Sequence, residues 1–419
     1  MKMKREWLIY LLLFMLVFTT TACSTSTGTD KTNDNPPSGS DQQQPAQQQE
    51  VKEPIKIGIV TSKTGALEAY GNQMIRGFEL GIDYATNGTK EIDGRKIEIY
   101  IEDSETNPEK AVEKATKLLE DTKIDILVGS ASSGDALAIL PLAEEYQKVM
   151  IVEPAVADSI TGEAWNRYIF RTGRNSSQDA IAGAVAIAKP GTKIAILAPD
   201  YAYGRDGAAA FKQAAEKLGA EIVLEEFPPM NATDFTASVQ KIIDAKPDYL
   251  FVIWAGANSP WKTIMDMKVK EKGVKISTGA PDIAALRTMT DFAGMEGFTV
   301  YYHQLPKNPV NDWLVAEHKK RFNDVPDLFT AGGMSSALAI VEAVKKAGST
   351  DSEILIKTME GMSFDSPKGT MTFRAEDHQA LQSLYAITLE SVSGFDYPVP
   401  TLIREMKPEE LIPPILNKR

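Results

Sequence analysis

The stretch IDILVGSASSGDALAILPLAEEYQKVMIVEP, residues 124–154, decides how the chain reads. It opens on IDILVG (124–129), a short apolar run that suits a strand buried on both faces. Asp135–Tyr146 then carries helical spacing, and VMIVEP (149–154) is a second apolar run. A strand, a helix and a second strand in succession are the repeating unit of a parallel sheet.

The same alternation runs outward in both directions. Upstream lie the strand IKIGIV (55–60), a helical pattern over Met74–Tyr84, and the strand KIEIYIED (96–103), entered through the turn pair Asp93-Gly94. A helix over Pro108–Glu120 follows, with Asn107 as N-cap and Pro108 at the first helical position. Downstream come strands at 193–199, 220–226, 248–254, 275–280 and 297–302, with helices between them, as at Gly204–Leu218 and Phe235–Ala245. Helices at Asn311–Arg321 and Ala331–Lys346, a hairpin-like stretch FDSPKGTMTFRAEDHQAL (364–381) and a strand LYAITLES (384–391) complete the pattern. The expected fold is α/β, with parallel sheets covered by helices on both faces. A chain of 419 residues exceeds one ordinary core and predicts two domains plus extensions.

The first 50 residues read differently. Lys2, Lys4 and Arg5 precede an apolar stretch from Trp7 to Phe18, and small residues Thr20–Ala22 lead to Cys23, the single cysteine of the chain. The apolar stretch is short for a bilayer span, which needs about 20 residues, and fits a targeting segment over 1–22. A plain secretory signal or a short anchor helix is the alternative. Residues 24–50 hold no aromatic and no aliphatic larger than alanine, so the segment 23–53 is expected to be a disordered tether. A flexible chain of that length spans roughly 30 Å. No later segment reads as long and apolar enough to cross a bilayer.

Several chemistries are excluded. One cysteine permits no internal disulfide, and three scattered histidines (His303, His318, His378) argue against a metal site. GSASSG (129–134) lacks the Gly-x-Ser-x-Gly spacing of a nucleophile elbow. Neither a phosphate-binding Gly-x-x-x-x-Gly-Lys loop nor a dinucleotide Gly-x-Gly-x-x-Gly is present. Loss of residues 1–22 removes three positive charges (Lys2, Lys4, Arg5) and one negative (Glu6), taking the net charge from −12 to −14. An acidic chain without a basic patch argues against nucleic acid. No catalytic activity and no cofactor are expected.

Four blocks then carry a resemblance: IKIGIVTSKTGALEAYGNQMIRGFELGID, EIDGRKIEIYIEDSETNPEKAV, ILVGSASSGDALAILPLAEE with VEPAVADS, and PDYAYGRDGAAAFK. Over about residues 54–395 the chain resembles the type I periplasmic binding proteins of ABC importers, specifically the branched-chain amino acid binding group. Cys23 resembles the acylated cysteine of a bacterial lipobox, although Thr20 stands where that pattern has Leu. The resemblance implies two lobes, each a parallel sheet with helices on both faces, joined by three crossovers. Lobe one is placed at 54–174 plus 303–380, lobe two at 175–302 plus 381–400, and a C-terminal extension at 401–419. The crossovers fall near Thr172–Asn175, Tyr302–Gln304 and His378–Ser383.

The resemblance also implies a ligand site at the carboxyl ends of the strands. Ser132 and Ser133 follow a buried strand and open a helix, where backbone N–H groups favour an anion; a helix cap is the plainer role for Ser133. Ala155 offers backbone groups, and Ala157 stands where the family has a hydroxyl residue. Tyr203 matches a tyrosine that closes over the ligand, Trp254 borders the cleft, and Asp282 falls where the family holds an acid for a ligand ammonium. Tyr70 matches an aromatic of the side-chain pocket. Core packing for Tyr203 and Trp254, helix capping for Asp282 and a surface loop for Tyr70 are the competing roles. The implied function is a monomeric, lipid-anchored extracytoplasmic receptor that delivers an amino acid or small carboxylate to ABC permease subunits. The alternatives are a receptor for an aromatic acid or amide, and a ligand sensor that feeds no transporter.

Overall fold

The structure is a computed structural model and describes residues 52–418 apart from 257, 280 and 281. The leader 1–22, Cys23 and all but the end of the tether lie outside the described residues.

β1 (Ile55–Thr61) leads to α1 (Glu68–Ala85), then to β2 (Glu91–Ile92) and β3 (Arg95–Asp103). Asp93 and Gly94 join β2 to β3 with φ of 49° and 77°, the left-handed pair that a tight hairpin requires. α2 (Pro108–Lys117) starts where its signals lie, with Asn107 Oδ1 accepting from the N–H of Glu109 and Lys110 at 2.9 and 3.0 Å. β4 (Ile126–Gly129), α3 (Ser133–Glu145), β5 (Val149–Val152) and β6 (Ile169–Arg171) follow. The six strands form one sheet in the order β2-β3-β1-β4-β5-β6, parallel from β3 to β6. Ile57 of β1 sits between Ile99 and Ile126. β4 and β5 are buried throughout, as strands covered on both faces must be.

The chain crosses after β6. α4 (Ser176–Ile187), β7 (Lys193–Leu197), α5 (Ala202–Lys217), β8 (Glu221–Glu226), α6 (Thr236–Ala245), β9 (Tyr249–Val252), α7 (Trp261–Asp266), β10 (Lys275–Thr278), α8 (Ile283–Arg287) and β11 (Glu296–Thr299) build the second lobe. Its parallel strands run β10-β9-β7-β8, and β11 joins at a bridge between Gly279 and Phe298. α9 (Pro309–Phe322), α10 (Leu328–Ala347), α11 (Ser352–Met359) and the antiparallel strands β12 (Ser363–Ser366), β13 (Gly369–Phe373) and β14 (Ala380–Leu381) follow. β15 (Leu384–Glu390) and β16 (Val399–Met406) then pair antiparallel in the order β11-β15-β16. The apolar core divides accordingly. One cluster gathers residues from Ile55 to Phe170 and from Val300 to Ala380. The others gather Ala180 to Leu305 and Leu384 to Leu411.

The second lobe adds to its parallel sheet an antiparallel set, β11-β15-β16, because β15 and β16 are linked by a short return and have no crossover helix. Two expectations are corrected. Residues 401–406, expected in a C-terminal extension, are all but the first two residues of β16. Beyond it the chain reaches back to lobe one, where the Pro413 carbonyl accepts from Arg374 Nη1 at 2.8 Å and Asn417 Nδ2 donates to the Glu376 carbonyl at 2.8 Å. Finally, α10 is long and apolar enough to cross a membrane by length and composition. It is the buried helix of lobe one, packed along α1, and its apolarity serves that contact.

Candidate functional site

The carboxyl ends of both sheets open on one cleft of about 660 Å³. Loops after β1, β4 and β5 supply one wall, and loops after β7, β9 and β10 the other. This is where open parallel sheets leave a crevice. Of the eight ligand-site residues expected from sequence, Tyr70, Ser133, Ala155, Tyr203, Trp254 and Asp282 line it.

Ser132 and Ala157 do not line it, and both expectations are corrected. Ser132 has an extended backbone and caps α3, its Oγ accepting from the Asp135 N–H at 3.2 Å. The capping role thus falls on Ser132 and leaves Ser133 to the cleft. Ser133 Oγ accepts from the Ala157 N–H at 3.2 Å, so its own proton is left to donate. Ala157 is fully buried, and its carbonyl accepts from Arg171 Nη1 at 2.6 Å. Both of its backbone groups are committed behind the wall.

The rest of the wall is aromatic. Tyr70 stacks on Phe329, with ring centroids 4.0 Å apart, and its hydroxyl accepts from the Gly256 N–H at 3.1 Å. Trp254 Nε1 donates to the Asn258 carbonyl at 2.5 Å, so it presents a ring rather than a donor. Tyr201 and Tyr203 lie 5.8 Å apart, and burial pushes both hydroxyl pKa values well up, which keeps them protonated. Asp282 also caps α8, with Oδ1 accepting from the Ala285 N–H at 2.7 Å. Capping and cleft lining are therefore both true of it.

The profile of the family described as periplasmic binding protein matches residues 54–394, well over half of the chain. The chain belongs to that family. This periplasmic binding protein is 25% identical over 324 residues to the leucine-, isoleucine-, valine-, threonine- and alanine-binding protein of Pseudomonas aeruginosa, covering 76% of this chain and 85% of that one. It is 52% identical to an ABC-type branched-chain amino acid transporter protein of Rhodopseudomonas palustris of known structure, with a TM-score of 0.77 over 87% of this chain and all of that one. It is 29% identical to an ABC transporter solute binding protein from another strain of that species, solved with 3,4-dihydroxybenzoic acid, with a TM-score of 0.75 over 84% of this chain and 97% of that one.

Hydrogen bonds beside the cleft also tie the lobes of this binding protein together. Tyr70 meets Gly256, Asp327 Oδ2 accepts from the Ile283 N–H at 2.8 Å, and Ser159 donates through N and Oγ to Asp206 Oδ2, each at 2.8 Å. Asp327 also caps α10, its Oδ1 accepting from the Leu328 N–H at 2.7 Å. Burial first, and then the charge of Asp282, raise its pKa to about 7. A carboxyl raised in the folded state adds stability that is full below its unfolded value, near 4, and is gone above about 7. The melting-temperature advantage of wild type over Asp327→Asn should therefore grow as the pH is lowered from 8 to 5. An advantage that is constant over this range would refute the coupling.

Sequence reasoning missed Phe329 and Arg174. Phe329 sits in the first turn of α10, ahead of the helix start read at Ala331. Arg174 lies in the first crossover, and nothing in RTGRN marks which arginine meets the cleft.

Proposed function

We propose that this periplasmic binding protein is the extracytoplasmic, lipid-anchored substrate-binding component of an ABC importer. It captures an amino acid of the branched-chain type, or a related small carboxylate, and delivers it to the permease. The observation that carries this reading is a cleft between two lobes whose opposed walls offer a hydroxyl at a helix start, Ser133, and a carboxylate, Asp282. Residues 54–174 plus 303–380 act as one lobe, and 175–302 plus 381–406 as the other. The lobes close on the ligand as hinged bodies. Ser133 and Ala155 hold the ligand carboxylate, Asp282 its ammonium, and Tyr70, Tyr203 and Trp254 its side chain.

A second reading, an aromatic acid as ligand, is favoured by the aromatic wall and by Ala157, which brings no hydroxyl. The relative with bound 3,4-dihydroxybenzoic acid supports it.

Native mass spectrometry of protein freshly extracted from membranes tests both. An amino acid or aromatic acid released on denaturation is expected, on a chain beginning at an acylated Cys23. Recovery of a chemically altered ligand, or a chain without lipid, would count against the receptor and the anchor respectively. Asp282→Ala separates the ligand classes. A hydrogen bond to a charged group is worth about 1.5–3 kcal/mol, so amino-acid affinity should fall roughly ten- to a hundredfold. Affinity for an acid without an amine should hold or rise, since an unpaired buried carboxylate is unfavourable. Calorimetry with L-leucine and 4-hydroxybenzoate reads the difference, and unchanged affinity for L-leucine would remove Asp282 from the ammonium site.

A further inference from the structure

Three features of the carboxylate end of the cleft need explaining together. The first is the state of the α3 N-terminus. Ser132 caps it, and Asp135 in its first turn is fully buried with its carboxyl beside the serines. An acid in the first turn already answers the positive end of the helix dipole. The helix start and the Ser133 hydroxyl are thus a weak trap for an anion.

The second feature is Arg174. It is 7% exposed, yet it lines the cleft. Its Nε donates to the two carboxylate oxygens of Asp179, each at 3.2 Å. Among the described residues no acceptor takes either Nη. A guanidinium presents five N–H donors in a fixed fork, and here only the one on Nε is engaged. The other arginine on the cleft wall, Arg76, lies over the Phe322 ring at 5.0 Å.

The third feature is position. The loop after β5 is laced on one side to Ser133, through the Ala157 N–H, and on the other to the crossover. There Ser176 N and Oγ both donate to the Val156 carbonyl, at 2.8 and 3.0 Å. Gly173, next to Arg174, backs onto the carbonyls of Pro154 and Ala155. Ser133 and Arg174 therefore flank the same loop, with Ala155 between them on the cleft wall. A desolvated guanidinium with unused donors is unfavourable unless the ligand brings acceptors, and a carboxylate matches the fork with two parallel bonds.

We propose that Arg174 reads the ligand carboxylate, together with Ser133, and makes this cleft selective for acids over the neutral amides of the same skeleton. The proposal rests on the cleft being the small-molecule site argued above and names the group that sets its ligand class. Asp179 acts as a positioning residue, holding Nε so that the Nη edge faces the cleft.

The experiment is calorimetric titration of wild type, Arg174→Gln, Arg174→Lys and Asp179→Asn with two acid–amide pairs. These are L-leucine with L-leucinamide, and 4-hydroxybenzoate with 4-hydroxybenzamide. Wild type should bind at least one acid about a hundredfold or more tighter than its amide. Arg174→Gln should bring that ratio to within about threefold of unity by weakening the acid alone. Arg174→Lys should keep a preference for the acid at lower affinity, because a point charge replaces the fork. Asp179→Asn leaves the Nη donors in place and should keep the acid preference. An acid–amide ratio that survives Arg174→Gln in a variant with wild-type melting temperature overturns the role of Arg174 and leaves the receptor reading standing. So does a wild type that binds acid and amide equally. Absence of saturable binding for every compound in the panel overturns the ligand reading and the proposal together.

Discussion

Arg171→Met should lower the stability of the folded body by about 3–5 kcal/mol, the range measured when one partner of a buried charged network is removed. Arg171 is fully buried at the end of β6. Its Nε donates to Gln379 Oε1 at 2.6 Å, Nη1 to the Ala157 carbonyl at 2.6 Å, and Nη2 to Thr161 Oγ1. Burial lowers its pKa to about 10, against the charges of Asp158 and Asp377, so it stays protonated at neutral pH. Methionine fills much of the volume but none of the bonds. The Ala157 carbonyl and the Gln379 amide oxygen would be left in the interior, and Asp158 would keep its bonds to Ser177 but lose its cation. Gln379 also ties Gly173 of the first crossover, so the loss should reach the hinge. Urea unfolding measures it, and a variant within about 1 kcal/mol of wild type would show that the network relaxes around the gap.

The second large effect is expected at Gly77. An added Cβ there would lie 1.9 Å from the Thr330 carbonyl oxygen, and one at Gly333 would lie 2.0 Å from the Met74 carbonyl oxygen. α1 and α10 thus meet backbone to backbone, and no side chain can yield. Gly77→Ala gains about 1 kcal/mol of helix propensity and should still destabilise the fold by about 3 kcal/mol or more, the upper range for overpacking. Gly134→Ala is the control. It also lies in a helix, but its nearest neighbours stand at 3.5 and 3.6 Å, so it should be close to neutral. The α1–α10 contact also carries Tyr70 against Phe329, so Gly77→Ala should weaken ligand binding beyond what the fraction unfolded explains. Equal stability of the two variants would mean that α1 and α10 part without cost.

Local signals made much of this fold legible. The β4–α3–β5 unit, the Asn107 cap and the Asp93-Gly94 turn are set by residues within a few positions of one another, and each appears where its pattern lies. The approximate ring of the site was also readable, because strand ends follow from strand positions. The remainder depended on contacts between distant parts of the chain. Ser132 and Ser133 are neighbours of one type, and a single step in backbone conformation sends one hydroxyl to the helix and the other to the cleft. β16 and its antiparallel pairing are decided by β15 and β11, strands brought together from separate passes of the chain. Arg174 reads as an ordinary surface charge until Asp179, one turn into α4 of the other lobe, takes its Nε and the Ala155 loop packs against the neighbouring Gly173. Periodicity and capping are properties of a segment, so sequence determines them. Burial of a charge and the aim of a side chain depend on what packs against it, and only the tertiary structure decides that.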